Sequence, residues 1–299
     1  MTQTRTAFIA IVGCPNVGKS SILNRLLGQK IAVVSPKPQT TRTKIMGVLT
    51  ENDVQLVFTD TPGFHRPRTK LGEKMVKAVS DSISGVDACL FVVEPSGELR
   101  DAEKDLLGKF KKEKMPVILA INKIDSVKQK ELLIERMAQF SALYDFEAIV
   151  PCSALKGDGF GELKDELFKQ SQPSPHFFPD DTLTDQPERV IAAEIIREKL
   201  LNLLDDEVPH GVAVCIERMH EREDSDITDI DATVYCERES HKGIIIGKKG
   251  EMLKKVSTRA REDMERFFMC KINLHCWVKA KEGWRNREGL IRNFGLDNE

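Results

Sequence analysis

The chain has 299 residues, 40% hydrophobic and 31% charged, with a formal net charge of −2. That length accommodates one large or two medium domains with proper cores, and that composition excludes a disordered chain or one that binds polyanions over its whole surface. Seven scattered cysteines without C-x-x-C spacing and the lack of a bilayer-length apolar run argue against a disulfide scaffold, a zinc ribbon and a membrane-spanning protein.

No signal-peptide core precedes the first strand, so a reducing, cytoplasmic setting is expected. The charge is uneven: from His241 onward 14 Lys+Arg stand against 8 Asp+Glu. A basic surface is therefore expected at the C-terminal end.

Residues 8–12 are apolar and read as a strand, and Ser21 opens a helix. Between them lies Gly13-Cys14-Pro15-Asn16-Val17-Gly18-Lys19-Ser20. This is G-x-x-x-x-G-K-S, in which glycines let successive backbone N–H groups turn inward around phosphate oxygens at the positive end of a helix dipole. Lys19 is placed to reach the β- and γ-phosphates, and the Ser20 hydroxyl to hold a Mg²⁺ that bridges them.

Residues 31–44 have neither helical nor strand period and form a loop that can grip and release a metal-bound phosphate. Thr41 is the preferred Mg²⁺ ligand there, with Thr40 the alternative. Strands follow at residues 45–50 and 54–59, the second delivering Asp60-Thr61-Pro62-Gly63. At a strand's carboxyl end Asp60 can hold Mg²⁺ through water, and Gly63 can bring its N–H close to a γ-phosphate. The next residue, Phe64, cannot orient an attacking water as a glutamine would. Slow intrinsic hydrolysis is expected, helped by backbone, a partner or a second cation. Asn16 is a candidate K⁺ ligand, and the alternative is that it only shapes the loop.

A basic loop at residues 65–70 leads into an amphipathic helix, a buried strand at residues 86–94, a helix at 101–112 and a strand at 116–121. That strand delivers Asn122-Lys123-Ile124-Asp125. In N-K-x-D the Asp125 carboxylate can accept from both N1–H and the 2-amino group of guanine. Such a site rejects adenine by roughly 10⁴-fold or more, because the wrong base leaves a buried charge unpaired. Asn122 is expected to tie this loop to the phosphate loop, and Lys123 to cover the ring face. One strand and helix later, backbone N–H groups of Ser153-Ala154-Leu155 can meet the guanine O6.

Strands alternating with helices imply an α/β domain with a mostly parallel sheet covered by helices, and the four motifs fall at its strand ends in the order a P-loop GTPase domain needs. Its expected span is residues 1–170. Residues 171–187, rich in proline and polar side chains, read as a linker. In the remainder, residues 188–299, helix, strand, strand, short helix, G-x-x-G, long helix and strand follow one another. This is the order of an α+β type II KH domain. Gly247-Lys248-Lys249-Gly250, with Ile246 before it, can receive a single-stranded RNA backbone; Ile245 and Ile246 offer a floor for bases. The tail with Lys279, Lys281, Trp284, Arg285 and Arg287 could extend that contact.

On G-C-P-N-V-G-K-S, Q-T-T-R, D-T-P-G-F, N-K-I-D, the S-A pair, E-I-I-R-E-K-L and I-I-I-G-K-K-G, the chain resembles the Era family of bacterial GTPases, a Ras-like G domain followed by a KH domain, over nearly its full length. The resemblance implies binding to the 3′ end of small-subunit (16S) rRNA, a role in 30S subunit assembly, and peripheral association with the cytoplasmic membrane. A monomeric GTP-hydrolysing switch is expected, with GTP biasing how the two domains are placed. The alternative is a nucleotide-gated RNA chaperone or membrane adaptor in which hydrolysis is incidental. Lys19, Ser20, Thr41, Asp60 and Gly63 form the candidate catalytic set.

Overall fold

The computed structural model describes residues 3–37, 40–65, 67 and 69–297; Gln39 of the Q-T-T-R motif and Arg66 and Arg68 of the basic loop lie outside them. The chain divides into two compact units. One comprises Met1–Val34, Thr41–Pro67 and Lys74–Asp185, the other Ser35–Thr40, Arg68–Glu73 and Gln186–Glu299.

In the first unit strands and helices alternate: β1 (Arg5–Val12), α1 (Lys19–Leu27), β2 (Ile45–Glu51), β3 (Val54–Asp60), α2 (Lys70–Ile83), β4 (Ala88–Val93), α3 (Asp101–Glu113), β5 (Val117–Ile121), α4 (Lys130–Ser141), β6 (Ala148–Pro151) and α5 (Phe160–Lys169). The sheet order is β2-β3-β1-β4-β5-β6, with β2 antiparallel to β3 and the remaining neighbours on this path parallel. Every residue of β4 and β5 is buried, which is why they read as unbroken apolar runs: helices cover both faces. Phe91 of β4 meets Phe110 of α3 at 5.5 Å and Phe140 of α4 at 5.8 Å, both edge-on. Burying each such ring contributes about 1.5–3 kcal/mol.

Residues 171–185, which read as linker, are strapped to this sheet. The two-residue β7 (Gln172–Pro173) pairs antiparallel with the start of β1. Val48 donates its N–H to the Leu183 carbonyl at 2.9 Å, and the Thr184 hydroxyl donates to the Met46 carbonyl at 2.6 Å. These bonds cover the outer edge of β2, which would otherwise offer unpaired backbone groups. Composition hid the strap, because it is held by backbone groups and polar side chains rather than by an apolar period.

The second unit contains α6 (Glu188–Leu203), β8 (Ala213–Glu221), β9 (Ile227–Cys236), α7 (Glu239–Ile246), α8 (Glu251–Phe268), β10 (Lys271–Ala280) and α9 (Glu288–Asn293). Its sheet order is β10-β9-β8, with β10 parallel to β9 and β8 antiparallel to it. Ile196 and Leu200 of α6, Ile245 of α7, and Val256, Ala260 and Met264 of α8 share one core with Ile230, Ala232 and Val234 of β9. Both β8 and β9 run up to the acidic turn at residues 222–226, past their last buried apolar residues. Arg222 grips the Asp229 carboxylate at 2.8 and 2.7 Å across that turn, so the polar ends still pair.

Two short segments of earlier chain belong to this unit. The Thr40 carbonyl accepts from Arg197 of α6, and Lys70 pairs with Glu288 of α9 at 2.9 Å. Part of the expected basic contact in the tail is corrected: Trp284 is fully buried, with its indole N–H on the Gly211 carbonyl at 2.8 Å, and Arg285 pairs with Glu237 at 2.5 Å. A large aromatic with a donor is stabilised more by a core position with a partner than by exposure. Among the described residues no helix is long and apolar enough to cross a membrane.

Candidate functional site

The loop between β1 and α1 folds as its glycines require. Gly18 has φ 98°, and a Cβ there would lie 2.2 Å from the Asn122 amide, so only glycine fits beneath the N-K-x-D loop. Asn16 takes the left-handed conformation too, with φ 64°. Lys19 is buried and its ammonium arches back onto the carbonyls of Gly13 and Cys14, at 3.3 and 3.0 Å.

At the head of α1 three oxygens converge. Ser20 Oγ donates to Asp60 Oδ2 at 2.6 Å and lies 2.9 Å from Thr41 Oγ1, which is 3.3 Å from the same carboxylate oxygen. Asp60 is fully buried and its Oδ1 has no hydrogen-bond partner. Burial pushes the Asp60 carboxyl above its ordinary value and the Lys19 ammonium below its own, each partly offset by the other's charge. Two hydroxyls and a buried carboxylate with an unsatisfied oxygen are the donor set of a hard divalent cation such as Mg²⁺. The Thr40 hydroxyl is turned elsewhere, to the Lys37 carbonyl at 2.7 Å.

Gly63 lies so close to the phosphate loop that a Cβ would meet Pro15 Cα at 2.7 Å. Phe64 donates its N–H to the Gly13 carbonyl at 3.0 Å. Its ring is buried in one core cluster with Val79, Ile83, Leu106 and Phe110, with the Lys109 ammonium 4.6 Å above it. Thr61 is fully buried and its hydroxyl is bound to the Ile11 carbonyl at 2.8 Å, so its side chain anchors the loop.

The loops expected to read the base interlock. Asn122 donates to the Val17 carbonyl at 2.9 Å and accepts from the Ala154 N–H at 3.0 Å. The Ala154 donor, expected at the guanine O6, is thus on Asn122 here. Ser153 donates to Asp125 Oδ1 at 2.5 Å, Ile124 donates its N–H to the Cys152 carbonyl at 3.2 Å, and Leu155 is exposed. Lys123 holds φ 67° and donates to the Asn16 carbonyl at 2.5 Å and to Glu94 Oε1 at 2.8 Å. Sequence reading missed Glu94, which closes the buried strand β4 and carries no motif of its own. Cys152, behind these loops, is an inert thiol that burial pushes up to about 12.

In the other unit the G-x-x-G turn links α7 to α8, with Gly247 at φ 74°, Lys249 at φ 53° and Gly250 at φ 81°. A Cβ on Gly247 would lie 2.7 Å from Met252 Cβ. The expected apolar floor needs one correction. Ile245 is fully buried in the core, Ile246 is half-buried, and Ile244 is the isoleucine that faces out, 51% exposed. A three-residue run on a helix points three ways, and only packing decides which is inward.

Two family models match: 50S ribosome-binding GTPase over residues 8–123 and KH domain over residues 207–285. GTPase Era of Clostridioides difficile (strain 630) is 48% identical over 295 residues, covering 99% of each chain. GTPase Era of Ruminiclostridium cellulolyticum is 49% identical over 291 residues, 97% of each chain. A crystal structure of an Aquifex aeolicus Era variant bound to GDP·AlF4⁻ superposes with a TM-score of 0.94 at 37% identity, covering 98% of this chain and 99% of that one. Era in complex with MgGDPNP and nucleotides 1506–1542 of 16S ribosomal RNA gives 0.92 at 38% identity, over the same shares. Full-length identity, the P-loop and N-K-x-D loops and the helix–strand–strand–helix–helix–strand unit agree: the chain belongs to the Era family of GTPases.

Proposed function

We propose that this chain binds GTP and GDP with Mg²⁺, hydrolyses GTP, and holds the 3′ end of small-subunit rRNA on its G-x-x-G turn as a step in 30S assembly. The observation that carries the reading is the pairing in one chain of a complete guanine-nucleotide site with an exposed G-x-x-G turn bearing two lysines. Lys19 and the P-loop N–H groups bind phosphate. Ser20 and Thr41 would hold the metal, with Asp60 behind them, and the metal would neutralise charge developing between the β- and γ-phosphates. Gly63 leaves room for the γ-phosphate, and Asn122 and Asp125 select the base. Lys248 and Lys249 neutralise RNA phosphates, while Ile244 and Ile246 present apolar surface to bases.

With Phe64 packed in the core, no side chain at that position orients water. Hydrolysis is therefore slow without help, and a K⁺ held by Asn16 is one source of it. Equal turnover in K⁺ and Na⁺ buffers would remove the cation. The chain acts as a monomer in the cytoplasm, with peripheral contact at the membrane.

The decisive experiment is fluorescence anisotropy with a 3′-terminal small-subunit rRNA fragment, in the presence of a non-hydrolysable GTP analogue, GDP or neither. Binding that is tighter with the analogue supports the switch. Equal affinity in all three reduces the protein to an RNA binder whose hydrolysis is incidental, and no binding removes the RNA assignment.

A further inference from the structure

Lys123 is a long, flexible side chain on a backbone that L-residues rarely adopt. Both costs are offset only if the side chain is held in one direction, since four rotatable bonds otherwise carry up to about 2 kcal/mol of rotamer freedom. Two acceptors hold it. The Asn16 carbonyl lies at 2.5 Å on the phosphate loop, and Glu94 Oε1 at 2.8 Å at the end of β4. The side chain thereby bridges the base loop and the phosphate loop, and its methylenes are the surface expected to cover the ring face of a bound base.

Glu94 is itself held. Arg100, the residue before α3, pairs with its other oxygen. Arg136 of α4 fixes the backbone of the same turn, donating to the Glu94 and Gly97 carbonyls at 3.3 and 3.1 Å. Burial pushes the Glu94 carboxyl up, but the bonds from Lys123 and Arg100 outweigh it and keep the group below its ordinary value.

We propose that Glu94, steadied by Arg100, is a positioning residue for the guanine nucleotide: it directs the Lys123 stem across the base and so sets how long the nucleotide stays. This rests on the reading of Lys123 as the cover of the ring face. Both Glu94 oxygens are taken up by Arg100 and Lys123, so its proposed role is in holding Lys123 and not in the chemical step. A carboxylate is required because a neutral amide cannot hold an ammonium against water with the same strength. Asp125 bonds to Ser153 and is not part of this chain of contacts, so base discrimination is expected to be independent of it.

The test is stopped-flow dissociation of fluorescently labelled GDP from the full chain as wild type, Glu94→Gln, Lys123→Met and the double variant. Glu94→Gln is expected to raise the dissociation rate about tenfold, and Lys123→Met at least as much. The double variant is expected to match Lys123→Met, since contacting groups that act through one another are non-additive. In GTP turnover the loss falls on KM, while the single-turnover rate at saturating GTP stays within about twofold. The GDP to IDP affinity ratio stays at its wild-type value, because the 2-amino contact belongs to Asp125.

Additive effects in the double variant, or a fall in the GDP to IDP ratio with Glu94→Gln, would mean that Glu94 merely braces the loop, and the proposal fails. No effect of Lys123→Met would instead remove the ring-cover reading beneath it. If Glu94→Gln does not fold, Arg100→Ala takes its place: dissociation rises by a smaller factor in the wild-type background and not at all on Lys123→Met. A rise in both backgrounds overturns the proposal.

Discussion

At Asp125 one carboxylate, steadied by the Ser153 hydroxyl at 2.5 Å, is the proposed reader of the purine. Asp125→Asn replaces an acceptor with a donor, so preference is expected to move from guanosine to xanthosine nucleotides by at least the order of 10²-fold in relative affinity, read by competition binding. At the proposed metal site the two neighbouring threonines separate cleanly. Thr41→Ala removes a hydroxyl 2.9 Å from Ser20 Oγ and is expected to weaken Mg²⁺-dependent GTP binding about tenfold. Thr40→Ala, whose hydroxyl faces the Lys37 carbonyl, is expected to change it far less. A third residue-scale effect lies in the strap. His176 sits 2.7 Å from Asp180 and 3.2 Å from the Asp53 carbonyl, and the bond to Asp180 holds its imidazolium above the ordinary value. Stabilisation from a raised folded value is complete below the unfolded value of about 6.5 and is lost as pH rises through the folded one. Thermal midpoints of wild type are therefore expected to fall across that window relative to His176→Gln, which should lack this component.

Among the elements, α3 and α4 are joined by a buried ion pair, Glu103 with Arg136 at 3.1 Å, whose side chains are 1% and 3% exposed. Glu103 also caps α3 by accepting the Arg100 N–H at 2.9 Å. Removing one member strands the other charge, so Glu103→Ala is expected to destabilise the chain by about 3–5 kcal/mol, seen in denaturant or thermal unfolding. The sequence offered no warning of this pair: a Glu in the first turn of one helix and an Arg in the middle of another are ordinary surface residues until the two helices pack. The G-x-x-G turn is different, because its glycines announce a backbone that only glycine adopts readily. Gly247→Asp sets a Cβ against Met252 and a negative charge on the turn proposed to receive RNA phosphates. RNA affinity is expected to drop by at least tenfold with nucleotide binding unchanged; undiminished RNA affinity would detach the turn from RNA.

For the whole molecule, the proposed linkage of GTP to RNA must be reciprocal: whatever factor the GTP analogue adds to RNA affinity, RNA must add to the affinity for the analogue. Titrations in both orders measure it, and unequal factors would mean that one of the two binding reactions is being misread. The elements proposed to bind the nucleotide were legible before any coordinates, because P-loop, D-x-x-G and N-K-x-D are local backbone and side-chain requirements written in consecutive residues. Alternation of apolar runs with amphipathic stretches likewise determined the two fold types and their order. Packing alone decided that Thr41 rather than Thr40 turns toward Ser20, that Ile245 is core while Ile244 faces out, that Trp284 is buried, and that residues 171–185 run along the first sheet. Glu94 joined the site the same way. Each of these depends on which distant residue comes to lie within bonding distance, and a linear sequence records spacing along the chain, not the distance across it.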